Sequence, residues 1–357
     1  MKNIQLRQEV IDLNPYIPGE QPSAYSKIIK INTNENPYPP SPKGKQAGEK
    51  VLADGVLRKY PNPTSSELRI AIADLYKIHP DEILITNGSD EAIRLLFLSI
   101  LESGDRILCP EPTYSAYPVF ADITLENVEF VRIPILDNLQ FPWTEMKKTN
   151  AKLAAFANPN APTGILEEKS KIIDFVANFS GYVLCDEAYI DFAPDNSSMI
   201  QEIQNYNNLL VTRTFSKSYS LAGLRVGFIA GNKETISLLN KLKDSYNVGM
   251  LDQEIAKACL LDQEYFNKCK QRLIATREKT KESLSKIGFA IPESHTNFLF
   301  AKPPKGKLAL ELFEKLKEKQ IYVRYFSSGL PSQYLRISIG TEEEMETVVD
   351  TIRQILA

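Results

Sequence analysis

Apolar and polar positions along the chain follow two rhythms. Short, nearly continuous apolar runs, such as Ile83-Leu84-Ile85-Thr86, Arg106-Ile107-Leu108-Cys109, Leu153-Ala154-Ala155-Phe156-Ala157 and Gly181-Tyr182-Val183-Leu184-Cys185, alternate with stretches whose apolar residues recur three and four apart. The runs predict strands buried on both faces, joined by strands at 126–133 and 208–213; the longer period predicts helices at 65–76, 92–101, 115–121 and 167–179. Hydroxyl residues ahead of the 65–76 segment are expected to cap it. Strands alternating with helices in this way indicate an α/β fold, a mostly parallel sheet covered by helices.

From about 233 the pattern turns helical. It ends in a smaller α+β unit, with strands at 297–301, 321–325 and 334–339 and helices at 307–319 and 342–356. A chain of 357 residues exceeds what one core holds, so two domains are expected. The division is an N-terminal arm over 1–45 packing with the small domain, a large domain over 46–255 and a small C-terminal domain over 256–357. The arm is rich in Pro, Asn and Tyr and cannot be a long helix. It reads equally as an extended linker and as a rigid segment that holds Tyr16 and Asn34-Glu35-Asn36 over a pocket.

Composition narrows the function. With 43% hydrophobic and 24% charged residues the chain is an ordinary globular protein. A net charge of -3 argues against a nucleic-acid binder. No run approaches the roughly 20 apolar residues of a membrane span, and the start lacks a signal-like apolar stretch. A cytoplasmic location is therefore expected. Four scattered cysteines suggest reduced thiols, and two histidines leave no basis for a zinc site or a Ser-His-Asp triad.

Candidate chemistry gathers after the strands. Gly88-Ser89-Asp90 follows a strand and opens a helix, where free backbone amides suit an anion. Asp186 and Tyr189 follow another strand. Lys217 sits in Thr214-Phe215-Ser216-Lys217, eight residues before Arg225. A lysine among 42 basic residues is ordinarily a solvated charge. Beside an anion site, an arginine and a buried acid it becomes a candidate nucleophile toward a carbonyl. Polar groups at strand carboxyl ends lie where open α/β sheets bind ligands.

The order of Gly88-Ser89-Asp90, Asp186-Glu187-Ala188-Tyr189, Phe215-Ser216-Lys217 and Leu221-Ala222-Gly223-Leu224-Arg225 resembles the fold-type-I pyridoxal-phosphate enzymes, in particular the class I and II aminotransferases. Leu13-Asn14-Pro15-Tyr16, Asn34-Glu35-Asn36-Pro37-Tyr38, Tyr60-Pro61, Asn158-Pro159-Asn160-Ala161-Pro162-Thr163-Gly164 and Leu335-Arg336-Ile337-Ser338 resemble the histidinol-phosphate aminotransferase family within them. The resemblance spans essentially the whole chain. It implies a homodimer that exchanges amino groups between L-histidinol phosphate and 2-oxoglutarate, giving glutamate, with pyridoxal 5′-phosphate as cofactor and no metal. An aromatic-amino-acid aminotransferase and a phosphothreonine-type decarboxylase share the scaffold and are the alternatives.

The resemblance also implies roles. Lys217 would hold the cofactor covalently and then move a proton as general base. Asp186 would pair with the pyridine nitrogen. At about 4 Å and an effective dielectric of 20 that pair is worth roughly 4 kcal/mol, or about three pKa units. Tyr189 would donate to the cofactor's phenolic oxygen and Tyr114 would stack on its ring. Arg225, Thr214, Ser216 and the Ser89 and Asp90 amides would take its phosphate, with Tyr60 reaching across from the neighbouring subunit. Tyr16, Asn34, Arg324 and Arg336 would take the substrate, Arg336 binding phosphate in one half-reaction and carboxylate in the other. One position departs from the family. Ala161 stands where an Asn precedes Pro-Thr-Gly, so either Tyr189 carries the phenolic contact alone or Asn160 moves in.

Overall fold

A computed structural model describes residues 11, 15, 19–22, 28–124 and 127–357. Its strands, in chain order, are β1 (Ile29–Lys30), β2 (Ile83–Thr86), β3 (Arg106–Glu111), β4 (Glu129–Pro134), β5 (Leu153–Ala157), β6 (Tyr182–Asp186), β7 (Leu209–Thr214), β8 (Gly227–Gly231), β9 (Phe298–Ala301), β10 (Ile321–Tyr322), β11 (Arg324–Tyr325) and β12 (Leu335–Ser338). Seven of these form one sheet in the order β2-β8-β7-β6-β5-β3-β4. Neighbours run parallel except at β8, which lies antiparallel between β2 and β7.

The apolar runs are buried on both faces because successive side chains alternate. Leu84, Ile107, Leu153, Ala155, Leu184, Leu210 and Ile229 enter one core, and Ile83, Leu108, Ala154, Phe156, Val183, Val211 and Phe228 enter the other. The fold is thus the α/β class that the periodicity predicts. A separate core forms around β9 and β12 and draws in Ile31 and Tyr38 from the N-terminal segment. There β11, β12 and β9 make an antiparallel sheet, while β1 pairs in parallel with β10.

Three local expectations need correction. No strand is expected at β8, because glycines bracket Phe228-Ile229-Ala230 and weaken the pattern. Packing requires the first of them, since a Cβ on Gly227 would lie 2.7 Å from the Ser89 nitrogen and 2.8 Å from the Arg213 carbonyl. The single strand expected at 321–325 is two strands that join different sheets, β10 with β1 and β11 with β12. The helix Ser66–Tyr76 has no side-chain hydroxyl cap; the Asn62 carboxamide oxygen accepts from the Thr64 and Ser66 amides instead.

The helix Met250–Leu261 crosses the expected limit between 255 and 256, and its Ala256, Cys259 and Leu260 belong to the large-sheet core. Among the described residues no helix is long and apolar enough to cross a membrane, and no group of three or more His, Cys, Asp or Glu is placed to hold a metal ion.

Candidate active site

The carboxyl ends of β2, β6 and β7 open onto one cavity of about 270 Å³. Its lining includes Ser89, Asp90, Tyr114, Asp186, Tyr189, Thr214, Ser216, Lys217 and Arg225 from the large sheet. Asn34 from the N-terminal segment and Arg324 and Arg336 from the small sheet close the other side. Among the described residues, the structure therefore brings together every site residue expected from sequence except Tyr60 and Asn160.

Asp186 ends β6 and is 4% exposed. Tyr117 donates to one carboxylate oxygen at 3.0 Å and Thr212 to the other at 3.0 Å. Burial pushes its pKa up to about 6, against the pull of those two hydrogen bonds. Neither partner is expected from the motifs. The register pairs Asp186 with Thr212, and Tyr117 lies on the helix that begins just after Tyr114, so both were legible only as neighbours of residues already singled out.

Lys217 is half-buried at the cavity wall, where its Nζ donates to the Thr33 carbonyl at 3.2 Å. Burial, and then the charge of Arg336, pull its amine down to about 8, against the attraction of Glu35 and Asp90. A lysine in this state is partly neutral near pH 8, as a nucleophile must be. Glu35, another residue the motifs leave without a role, lines the same wall. Burial would raise its carboxyl, but hydrogen bonds from Lys30 and Thr33 outweigh that and hold it below the usual range.

Tyr189 packs edge-on against Phe298, with ring centroids 5.2 Å apart. Its hydroxyl accepts from the Asn34 carboxamide nitrogen at 2.8 Å. The orientation of that carboxamide is determined by Ser338, whose hydroxyl accepts from the Asn34 backbone N–H and donates to Asn34 Oδ1 at 2.8 Å. Because Asn34 donates to the phenol, the phenolic proton remains for a second partner. Asn34 has φ 57° and is 1% exposed, and Asn297 donates to its carbonyl, so the backbone bend is held by the small sheet.

The helix Ser89–Ile100 starts at the cavity after Gly88, whose φ is 79°. A Cβ there would lie 2.8 Å from Arg225 Nη2. Arg225 donates to Ser216 Oγ at 3.3 Å and pairs with Asp90 at 3.2 Å; Thr214 donates to the same Ser216 oxygen at 3.0 Å. Tyr114 donates to Asp90 at 3.1 Å and meets Tyr117 edge-on. Free helix N-terminal amides, a guanidinium and two hydroxyls on a glycine bend make an anion cradle.

Arg324 and Arg336 are directly opposite on β11 and β12. The Arg336 guanidinium lies over Phe298 and Phe326 and donates to the Asn32 carbonyl at 2.9 Å, and Arg324 lies over the same Phe326 ring.

Two expected residues lie elsewhere, and a third is not described. Tyr16 falls outside the described residues. Tyr60 is 78% exposed and stacks on Tyr246 at 4.4 Å, away from its own chain's cavity. Asn160 is fully buried, and its amide nitrogen donates to the Pro112 carbonyl and Thr163 Oγ1. Its amide nitrogen is thus engaged within the loop, and from this segment Ala161 and Pro162 face the cavity.

A family model for class I and II aminotransferases matches residues 26–352, and the chain belongs to that family. It is 42% identical over 355 residues to the histidinol-phosphate aminotransferase of Clostridium beijerinckii, covering 98% of this chain and 96% of that one. Among solved structures, the histidinol-phosphate aminotransferase from Clostridium acetobutylicum superposes with a TM-score of 0.85 at 24% identity, covering 92% and 99% of the two chains. The Sinorhizobium meliloti enzyme of the same name, in complex with pyridoxal-5′-phosphate, gives 0.84 at 24% identity, covering 92% of each chain. These structures share the fold-type-I architecture of the aminotransferases.

Pyridoxal 5′-phosphate is the cofactor of this class, and the cavity suits it. The glycine-lined anion cradle, the buried Asp186 and the depressed Lys217 amine offer a phosphate site, a carboxylate for a ring cation and an amine for a carbonyl.

Proposed function

We propose that this aminotransferase moves an amino group between L-histidinol phosphate and 2-oxoglutarate, giving imidazole-acetol phosphate and L-glutamate, in histidine biosynthesis. The observation that carries the substrate side is the cross-strand pair Arg324 and Arg336 on the cavity wall. Like charges opposite one another cost a sheet about 0.2–1 kcal/mol. Each charge-assisted hydrogen bond to a phosphate returns about 1.5–3 kcal/mol, so a dianion between the two forks outweighs the repulsion. Glutamate's carboxylate suits the same Arg336 fork in the other half-reaction.

Bound pyridoxal phosphate supplies the reactive carbonyl and an electron sink. The residues around it have separable tasks. Lys217 Nζ, drawn to about 8, would hold the cofactor and carry the proton taken from the substrate Cα. Asp186 would pair with a positive ring nitrogen, with Thr212 and Tyr117 fixing its oxygens. Tyr189, turned by Asn34, would donate a hydrogen bond to the phenolic oxygen, and Tyr114 would stack on the ring. Arg225, Thr214, Ser216 and the amides of Ser89 and Asp90 would bind the phosphate.

Tyr60 is exposed as a residue must be to reach a neighbouring copy, and it would complete that copy's phosphate site in a homodimer. Tyr16 would approach the substrate phosphate. The small domain would begin near Asp262, after the helix that packs on the large sheet. The enzyme would work in the cytoplasm on small molecules, with no nucleic-acid or membrane partner.

A half-reaction absorbance scan tests the substrate. Purified holoenzyme is mixed with L-histidinol phosphate or with phenylalanine, without keto acid. Bleaching of the yellow chromophore at far lower concentrations of histidinol phosphate supports the assignment. The reverse preference would move the enzyme to aromatic amino acids.

A further inference from the structure

We propose that Arg213 is a positioning residue for this active site, holding in one arrangement the three segments that carry Asp186, Tyr189 and Lys217. The proposal goes beyond substrate assignment, and it rests on the roles given above to those three residues.

Strand alternation places the device behind the cavity. Asp186, Thr212 and Thr214 share their face of the sheet with Leu184 and Leu210. Arg213 and Glu187, one residue along, fall on the opposite face with Val183, Cys185 and Val211. Arg213 is 7% exposed in its side chain and Glu187 is 0% exposed. The Arg213 Nε donates to Glu187 at 3.1 Å, and Nη1 donates to Asp191 at 2.8 Å and to the Tyr76 hydroxyl at 2.9 Å.

The two carboxylate contacts land beside residues of the site. Glu187 follows Asp186. Asp191 lies two residues beyond Tyr189. The other Asp191 oxygen accepts from the hydroxyl of Ser218, the residue after Lys217. Ser198 and the Met199 amide donate to Glu187, so that carboxylate is itself immobilised. One planar fork therefore connects the segments after β6, the strand β7 and the lysine loop. Arginine suits this task because its donors are rigidly spaced and it stays charged at any working pH.

A purely structural ion pair would make different demands. Its loss would lower the thermal midpoint and leave the chemistry of the folded fraction untouched. A positioning residue acts on the Lys217 amine and the Asp186 carboxylate through fractions of an ångström, and misplacement of about 1 Å costs roughly 100-fold in rate.

The test compares holoenzymes of wild type, Arg213→Met, Arg213→Lys and Ser218→Ala. Arg213→Met is expected to lower kcat about 100-fold with KM values nearly unchanged, and to shift the spectrophotometric pKa of the bound chromophore. Ser218→Ala cuts one link without stranding a buried charge. It should fold and still lose about 10-fold in kcat. Arg213→Lys, with one ammonium for two acids, should fall between them.

Variants that melt earlier yet keep wild-type kcat and chromophore pKa would overturn the proposal. So would a rise in KM at constant kcat. If Arg213→Met fails to fold, the other two variants decide by the same criteria. Wild-type enzyme that bleaches with neither amino donor would sink the proposed function instead, and the chromophore comparison among variants would still be readable.

Discussion

The two walls of the cavity are built differently. The cofactor wall stands on parallel strands whose ends are locked by buried polar bonds, Asp186 to Thr212 and Tyr117 on one face and Arg213 to Glu187 and Asp191 on the other. The facing wall is assembled from short pieces. β1, β10 and β11 have two residues each, and Asn34 meets Ser338 from 304 positions away. On the proposed roles, groups that hold reacting atoms to a fraction of an ångström stand at the ends of the long sheet. Groups that would choose among substrates stand on elements whose small changes leave the sheet intact.

That contrast can be broken at several points. The largest effect is expected at Asp186, and it carries a pH signature. Its carboxyl is raised to about 6 by burial, so it is ionised above that pH and takes a proton below it. Cofactor affinity should be full above about pH 6 and decline as the pH falls through and below it, because pairing with the ring itself favours the ionised form. Asp186→Asn should lower kcat by about 1,000-fold or more and abolish that pH dependence, measured by cofactor titration across pH 5–8. With no cofactor bound, the buried charge is a cost present above pH 6. The cofactor-free Asn variant should accordingly be at least as stable there as the parent.

The facing wall should give smaller and more selective losses. Arg336→Gln is expected to weaken both histidinol phosphate and glutamate, each by roughly 100-fold in kcat/KM. Arg324→Gln should weaken histidinol phosphate by roughly 10-fold and leave glutamate nearly unchanged, since a carboxylate occupies one fork. Equal losses on both substrates in the Arg324 variant would remove it from phosphate recognition.

The smallest effect is expected at Ala161. The Asn160 amide nitrogen is engaged in its loop and Tyr189 is the proposed phenolic donor, so Ala161→Asn would add a second donor to the cofactor's phenolic oxygen. The spectrophotometric pKa of the holoenzyme chromophore should fall by about one unit or less. An unchanged value would mean that position 161 does not reach that oxygen.

Most of the cofactor wall was legible because its residues are local. A strand ends, a glycine bends, and a helix or loop presents the next few side chains, so Ser89, Asp186 and Lys217 are placed by the spacing of their own segments. β8 was not legible, since Gly227 is required by packing against Ser89 and Arg213 that no local pattern reveals. Tyr117 and Thr212 were missed for a related reason. Each looks like an ordinary core or strand residue until register, for Thr212, and packing of a helix on the sheet, for Tyr117, place it on the Asp186 carboxylate.

What the sequence determined by itself is the periodicity of strands and helices, the polar motifs at strand ends and the absence of a histidine-rich or cysteine-rich alternative. These follow from short-range sterics and from which side chains can be buried. The tertiary structure alone decided the pKa shifts of Lys217 and Asp186, the turn of Asn34 toward Tyr189, the opposition of Arg324 and Arg336, and the clamp of Arg213 on the buried Glu187 and the half-buried Asp191. Each depends on burial and on charges brought together from distant parts of the chain. Desolvation and Coulomb energy are set by distance in space, which spacing along the chain does not carry.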